Sequence, residues 1–143
     1  MAVRTARAEW DGALRDGSGT MALGGGAFEG QYSFSSRFEE GPGTNPEELI
    51  GAAHAGCFSM FLANVLSEAG QEPGRVETTA RVHLDQTDDG PAITRVELET
   101  EAEVSGIDDE EFQRHVDAAK TGCPVSKALG AIDISVNARL ADG

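Results

Sequence analysis

Residues 44–70, TNPEELIGAAHAGCFSMFLANVLSEAG, constrain this chain more than any other stretch. They read as one long helix. Asn45 or Thr44 caps its start, Pro46 suits the first helical position, Glu47 and Glu48 stand where the helix dipole favours negative charge, and Gly70 supplies the stop. At about 100° per residue, Ile50, Ala53, Cys57, Phe61 and Asn64 share one face while Leu49, Ala52, Phe58, Leu62 and Val65 fill another. A helix apolar on almost every side is expected to be buried on every side, and a cysteine sits at its centre. Cys57 lies about three turns in, where the terminal dipole has faded, so a reactive thiol there needs another charge to activate it.

The remaining sequence suits an α+β chain. Val3 to Trp10 alternate loosely, and turn signals at Asp11-Gly12 and Asp16-Gly17 before Thr20 to Leu23 predict an opening β-meander. Gly24-Gly25-Gly26 lacks the following helix and the lysine of a phosphate loop. Tyr32, Phe34 and Phe38 mark a further extended piece that contains Arg37. After Gly70, the strict alternation of Val76, Thr78, Ala80, Val82 and Leu84 predicts a strand with one wet face, and the run Ile93 to Val104 is its antiparallel hairpin partner. Asp108 caps a second helix to about Lys120, with Phe112, Val116 and Ala119 inward and Glu111, Arg114, His115 and Asp117 outward. Gly122 fits its stop, Pro124 restarts a short helix to Leu129, and Ile132 to Leu140 form a last strand.

At 143 residues the chain fits a single domain, residues 1–143. A net charge of −14, from 11 basic and 25 acidic side chains, argues against nucleic acid and anionic membrane as partners. The first ten residues, MAVRTARAEW, contain no apolar signal run, and no uninterrupted apolar stretch of about 18 residues occurs, so the expected location is the cytoplasm. Two cysteines, Cys57 and Cys123, are too few for a disulfide framework.

Their settings are nevertheless suited to redox chemistry. Cys123 precedes Pro124 at the cap of a short helix, where free backbone N–H groups favour a thiolate. A thiolate that attacks a peroxide becomes a sulfenic acid, and a second cysteine within reach turns this into a disulfide before irreversible oxidation. Buried Cys57 would need a cation, for which Arg37 and, further off, Arg15 are the candidates, with Glu47 or Glu48 orienting the guanidinium. His54 stands in an H-x-x-C spacing with Cys57, which is two ligands and not a zinc site, and reads as a packed or interface histidine. No haem, flavin or metal motif accompanies the thiols.

TNPEELIGAAHAGCFSMFL followed by GCPVSKAL resembles the osmotically inducible/organic hydroperoxide resistance family of thiol peroxidases, over about Arg4 to Leu140. The resemblance implies a peroxidatic Cys57, a resolving Cys123 and a Cys57–Cys123 disulfide in the cycle. In the osmotically inducible branch the activating arginine precedes the central helix, here Arg37 with Glu47 as its partner. In the other branch it comes earlier, from a segment that Arg15-Asp16-Gly17 resembles. The implied fold is an intertwined homodimer with antiparallel sheets wrapped around long buried central helices, both subunits contributing to each site. The implied substrate is an organic hydroperoxide, with a lipoyl-type dithiol as reductant and no cofactor. The alternative on the same fold is a redox-sensing or ligand-binding module without steady-state turnover.

Overall fold

The computed structural model describes residues 2–141, and the chain divides into two compact units, residues 1–49 and 50–143. In the first unit, β1 (Ala6–Asp11), β2 (Ser18–Leu23) and β3 (Glu29–Tyr32) form the expected antiparallel meander in the order β1-β2-β3. Trp10 and Tyr32, on its outer strands, approach to 5.2 Å between ring centroids.

The segment after β3 is not extended. Phe34–Phe38 is a one-turn helix, α1, so Arg37 sits on a helix and not on a strand. The cause is local: Ser33 Oγ accepts the Ser36 N–H at 3.1 Å, and the Ser33 N–H donates to Ser36 Oγ at 2.8 Å, closing a reciprocal capping box. Five residues are too few to show a helical period, and the aromatic spacing mimics a strand.

The long helix, α2 (Pro46–Glu68), begins where the sequence places it. Asn45 Oδ1 accepts the Glu48 N–H at 2.8 Å, while Asn45 Nδ2 donates to Ser36 O at 3.0 Å and ties the helix start to α1. Gly70, at φ +85°, closes the other end in the left-handed conformation glycine favours.

In the second unit, β4 (Pro73–Thr87) and β5 (Gly90–Val104) pair antiparallel, with Ala80 opposite Leu98 and Val82 opposite Val96. β6 (Asp133–Leu140) then runs parallel to β5, so this sheet is mixed, not antiparallel throughout. The chain crosses back over one face through α3 (Asp109–Gly122) and α4 (Pro124–Ala128), and a return by that route delivers the strand in the same direction. Asp108 caps α3 by accepting the Glu111 N–H at 2.8 Å. His115 of α3 is half-buried, its Nε2 3.7 Å from Glu111 Oε1, and does not face solvent as its neighbours do.

The core lies where one face of that sheet meets the helices. Val96, Leu98 and Ala102 of β5, Phe112, Val116 and Ala119 of α3, and Phe58, Leu62 and Leu66 of α2 are all buried. Each large apolar side chain so buried contributes about 1.5–3 kcal/mol. Ser59 Oγ donates to Thr78 Oγ1 at 2.7 Å, beside a 2.9 Å contact between Thr78 and Thr100, so α2 is also hydrogen-bonded to the sheet.

Burial of α2 is one-sided within the chain, against the expectation of burial all round. Gly51, His54, Phe58, Leu62 and Leu66 line the covered face, whereas Ala52, Ala53, Gly56, Met60 and Asn64 are exposed, Met60 to 77%. One sheet and one helix layer cover one side of a cylinder, and the opposite apolar side is left over. By length and composition alone α2 could cross a membrane, yet its covered face is packed against this chain's own core.

Candidate active site

Two clusters hold the residues that carry chemistry, one in each unit. In the first, α1 and the first turn of α2 bring Arg37 and Glu47 together: Arg37 Nε donates to Glu47 Oε1 at 3.0 Å and Nη2 to Oε2 at 3.1 Å. Glu47 is buried, with 8% of its surface exposed, and the guanidinium carbon of Arg37 also lies 5.4 Å from the Phe38 ring centroid. The neighbouring Glu48 is exposed and accepts from Asn45 Nδ2 at 2.8 Å, a capping contact. Arg15 lies 4.5 Å over the Phe34 ring and forms no ion pair among the described residues.

In the second cluster, the free thiols Cys57 and Cys123 bring their sulfurs to 3.3 Å. A disulfide needs about 2.05 Å, so closing the bond asks for an approach of about 1.3 Å. Cys57 projects from the start of the fourth turn of α2 and is half-buried; Cys123 is fully buried at the N-cap of α4. What brings the α3–α4 corner so near α2 is Gly122. A Cβ built there would lie 2.5 Å from the Phe61 ring, so the backbone beside Cys123 rests directly against α2. Gly122 is the last residue of α3 and has no positive φ; it serves a close approach, not a left-handed stop.

The two thiols differ electrostatically. Burial pushes the Cys57 thiol up; the Val125 backbone pulls it down, and the adjoining Cys123 adds to the raising, so that the net direction is upward. Burial would raise Cys123 too, but hydrogen-bonding groups outweigh it: the backbone and hydroxyl of Ser126, the Cys57 thiol and the Val125 backbone together hold Cys123 below the ordinary thiol range.

His54 stands one turn before Cys57 and is fully buried, its Nε2 2.7 Å from Ser126 Oγ. That nitrogen is therefore engaged by a hydroxyl. Ser126 itself is the residue that sequence reasoning passed over. Its only signal was its place three residues after Cys123, the spacing of a helix cap and its partner.

Comparison with known proteins bears on the family and the fold. The family model described as OsmC-like protein matches residues 39–137. The chain is 50% identical over 126 residues to the Peroxiredoxin OsmC of Escherichia coli (strain K12), covering 87% of this chain and 88% of the relative. It is 36% identical over 98 residues to the Organic hydroperoxide resistance protein of Xanthomonas axonopodis pv. citri (strain 306), covering 67% of each. The crystal structure of an organic hydroperoxide resistance protein OsmC from Legionella pneumophila superposes with a TM-score of 0.72 at 25% identity, covering 96% of this chain and 98% of that one. With the matched segment spanning both cysteines and the fold shared across the chain, this protein belongs to the OsmC-like family.

Proposed function

We propose that the protein is a cysteine-based peroxidase that reduces organic hydroperoxides to alcohols, with Cys57 as the attacking thiol and Cys123 as the resolving one. The observation that carries this reading is the 3.3 Å separation of two free sulfurs, one from α2 and one from the α3–α4 corner. The relatives' names, peroxiredoxin and organic hydroperoxide resistance protein, support a peroxidase-type role.

The Cys57 thiolate attacks the terminal oxygen of ROOH; the O–O bond breaks, RO⁻ leaves and takes up a proton as the alcohol, and Cys57 becomes a sulfenic acid. The Cys123 thiolate then attacks the Cys57 sulfur, the S–S bond forms, and hydroxide leaves to become water. A dithiol of the lipoyl type returns both thiols by exchange, ending as a disulfide itself.

Because burial raises the Cys57 thiol, its thiolate calls for a cation, and Arg37, oriented by Glu47, is assigned that role. Phe61, one turn from Cys57 on α2 and partly exposed, favours an alkyl or lipid-like substituent on the peroxide. Two copies are proposed to form the active species, since the exposed Ala53, Gly56 and Met60 side of α2 is an apolar surface that a second copy would cover. Residues 1–143 are taken as one functional domain, and the charge of −14 and the thiol chemistry favour a reducing cytoplasm.

The test is steady-state kinetics of metal-free protein with an alkyl hydroperoxide and excess dithiol. Sustained turnover is expected, lost in Cys57→Ser, while Cys123→Ser should oxidise once and then stall or overoxidise. A single stoichiometric oxidation by the wild type, with no turnover for any hydroperoxide and dithiol, would make the protein a sensor and end the peroxidase reading.

A further inference from the structure

Two residue pairs join α2 to α4. His54 and Cys57 stand one turn apart on α2, and Cys123 and Ser126 are the cap and third helical residue of α4. Each pairs across: sulfur to sulfur at 3.3 Å, and His54 Nε2 to Ser126 Oγ at 2.7 Å. His54 has no exposed surface, and its Nδ1 has no hydrogen-bond partner among the described residues. Burying an imidazole on an apolar helix face with one nitrogen unsatisfied costs stability, so packing alone is a poor account of it.

The unpartnered nitrogen favours one tautomer over the other. A neutral imidazole carries one N–H and one lone pair, and burial favours the neutral form of His54. A hydrogen on Nδ1 would strand a donor in the core and force the Ser126 hydroxyl to donate to Nε2. With the hydrogen on Nε2, the imidazole donates to Ser126 Oγ, only a lone pair is left over, and the Ser126 O–H is free to donate elsewhere. Three residues back along the chain, at the cap of the same short helix, stands the thiol of Cys123.

We propose that His54 and Ser126 are positioning residues for the resolving step: His54 Nε2–H holds the Ser126 oxygen so that the Ser126 O–H donates to Cys123 Sγ and aims that sulfur at Cys57. The proposal rests on the two-thiol cycle above. When Cys123 attacks the Cys57 sulfenic acid, the S–S bond forms, the S–O bond breaks and hydroxide leaves with a solvent proton as water; His54 and Ser126 neither gain nor lose a proton. The lowered Cys123 thiol, to which the Ser126 hydroxyl contributes, agrees with this arrangement. Among the described residues, Cys57 of α2 meets Cys123 and His54 of α2 meets Ser126; α3 turns Phe112, Val116 and Ala119 to the core with His115 half-buried, and Lys120 and Lys127 are exposed.

The experiment titrates Cys123 by its ultraviolet thiolate absorbance in Cys57→Ala protein, where it is the only thiol left. Ser126→Ala and His54→Phe should each raise its pKa by about one unit, the scale of one hydrogen bond to a charged group. Ser126→Thr, which keeps the hydroxyl, should titrate like its parent. In protein retaining both cysteines, Ser126→Ala should raise the fraction of Cys57 driven to sulfinic acid by excess peroxide about tenfold, read by mass spectrometry. Circular dichroism checks folding, and if His54→Phe does not fold, the Ser126 pair decides. Identical titrations for Ser126→Ala, Ser126→Thr and parent overturn the proposal. Loss of turnover in the wild type would end the peroxidase reading while leaving the titration result standing, so the two failures are distinct.

Discussion

Arg37 grips Glu47 as a two-point fork, Nε to Oε1 at 3.0 Å and Nη2 to Oε2 at 3.1 Å, with the arginine side chain 35% exposed and the glutamate 9%. A planar guanidinium matched to both oxygens of one carboxylate has a fixed direction, which a lysine ammonium cannot reproduce. Under the proposed role, Arg37→Met is expected to raise the apparent pKa of Cys57 and slow its reaction with peroxide. Glu47→Gln should lose less, and Arg15→Met, at an arginine that rests over Phe34 with no ion pair among the described residues, should change little. Stopped-flow peroxide reaction against pH checks this; a crippled Arg15→Met with an intact Arg37→Met would reverse the assignment.

Gly122→Ala tests the close approach that brings the sulfurs together. The added methyl would lie 2.5 Å from Phe61 Cε1 and 2.6 Å from Cζ, so ring or backbone must move. A loss of about 1–3 kcal/mol in unfolding free energy and slower disulfide formation are expected, both partly recovered when Phe61→Leu is added. An unaffected disulfide rate would show that the corner accommodates the methyl without moving Cys123.

Acid should weaken the fold through His54. Its folded-state pKa lies below the ordinary 6.5 because burial disfavours the charged ring. The unfolded chain therefore binds the proton first, and this contribution to stability is complete above about pH 6.5 and lost as pH falls below it. Glu97, held low by the His83 hydrogen bond, acts in the same direction but only below its ordinary 4.5. Urea midpoints between about pH 7.5 and 5 should fall for the wild type and flatten for His54→Gln. An equal slope in both would exclude His54 as the cause.

Met60→Glu should separate association from folding. The side chain is 77% exposed in the single chain, so a charge there costs the monomer little, but two copies packed through that face would bury it. Sedimentation of the wild type should give about twice the 15.0 kDa chain mass. The variant should shift toward 15.0 kDa with unchanged circular dichroism; a wild-type monomer at low micromolar concentration would remove the dimer.

Local signals carried most of the fold. Asn45, Pro46 and Gly70 bounded α2, and the alternation in β4 and β5 announced a hairpin, because caps and period are written in adjacent residues. The short α1 escaped because its determinant is one Ser33–Ser36 exchange inside an aromatic-rich segment. The parallel direction of β6 follows from a crossover, a relation no alternation pattern encodes. For the candidate site, both cysteines and the Arg37–Glu47 pair stood out by residue type, but the His54–Ser126 contact spans 72 positions and only folding reveals it.

The separation of the two cysteines along the chain bears on how the molecule resists unfolding. They lie 66 positions apart in sequence yet 3.3 Å apart in space. A covalent link between them would close a long loop and restrict the unfolded ensemble, worth about 4 kcal/mol in the chain-entropy account. A cycle that makes and breaks that link would then alternate between a stapled form and a looser one. Heat or protease would act chiefly on the protein awaiting peroxide, and oxidant itself would harden the population it has just reached.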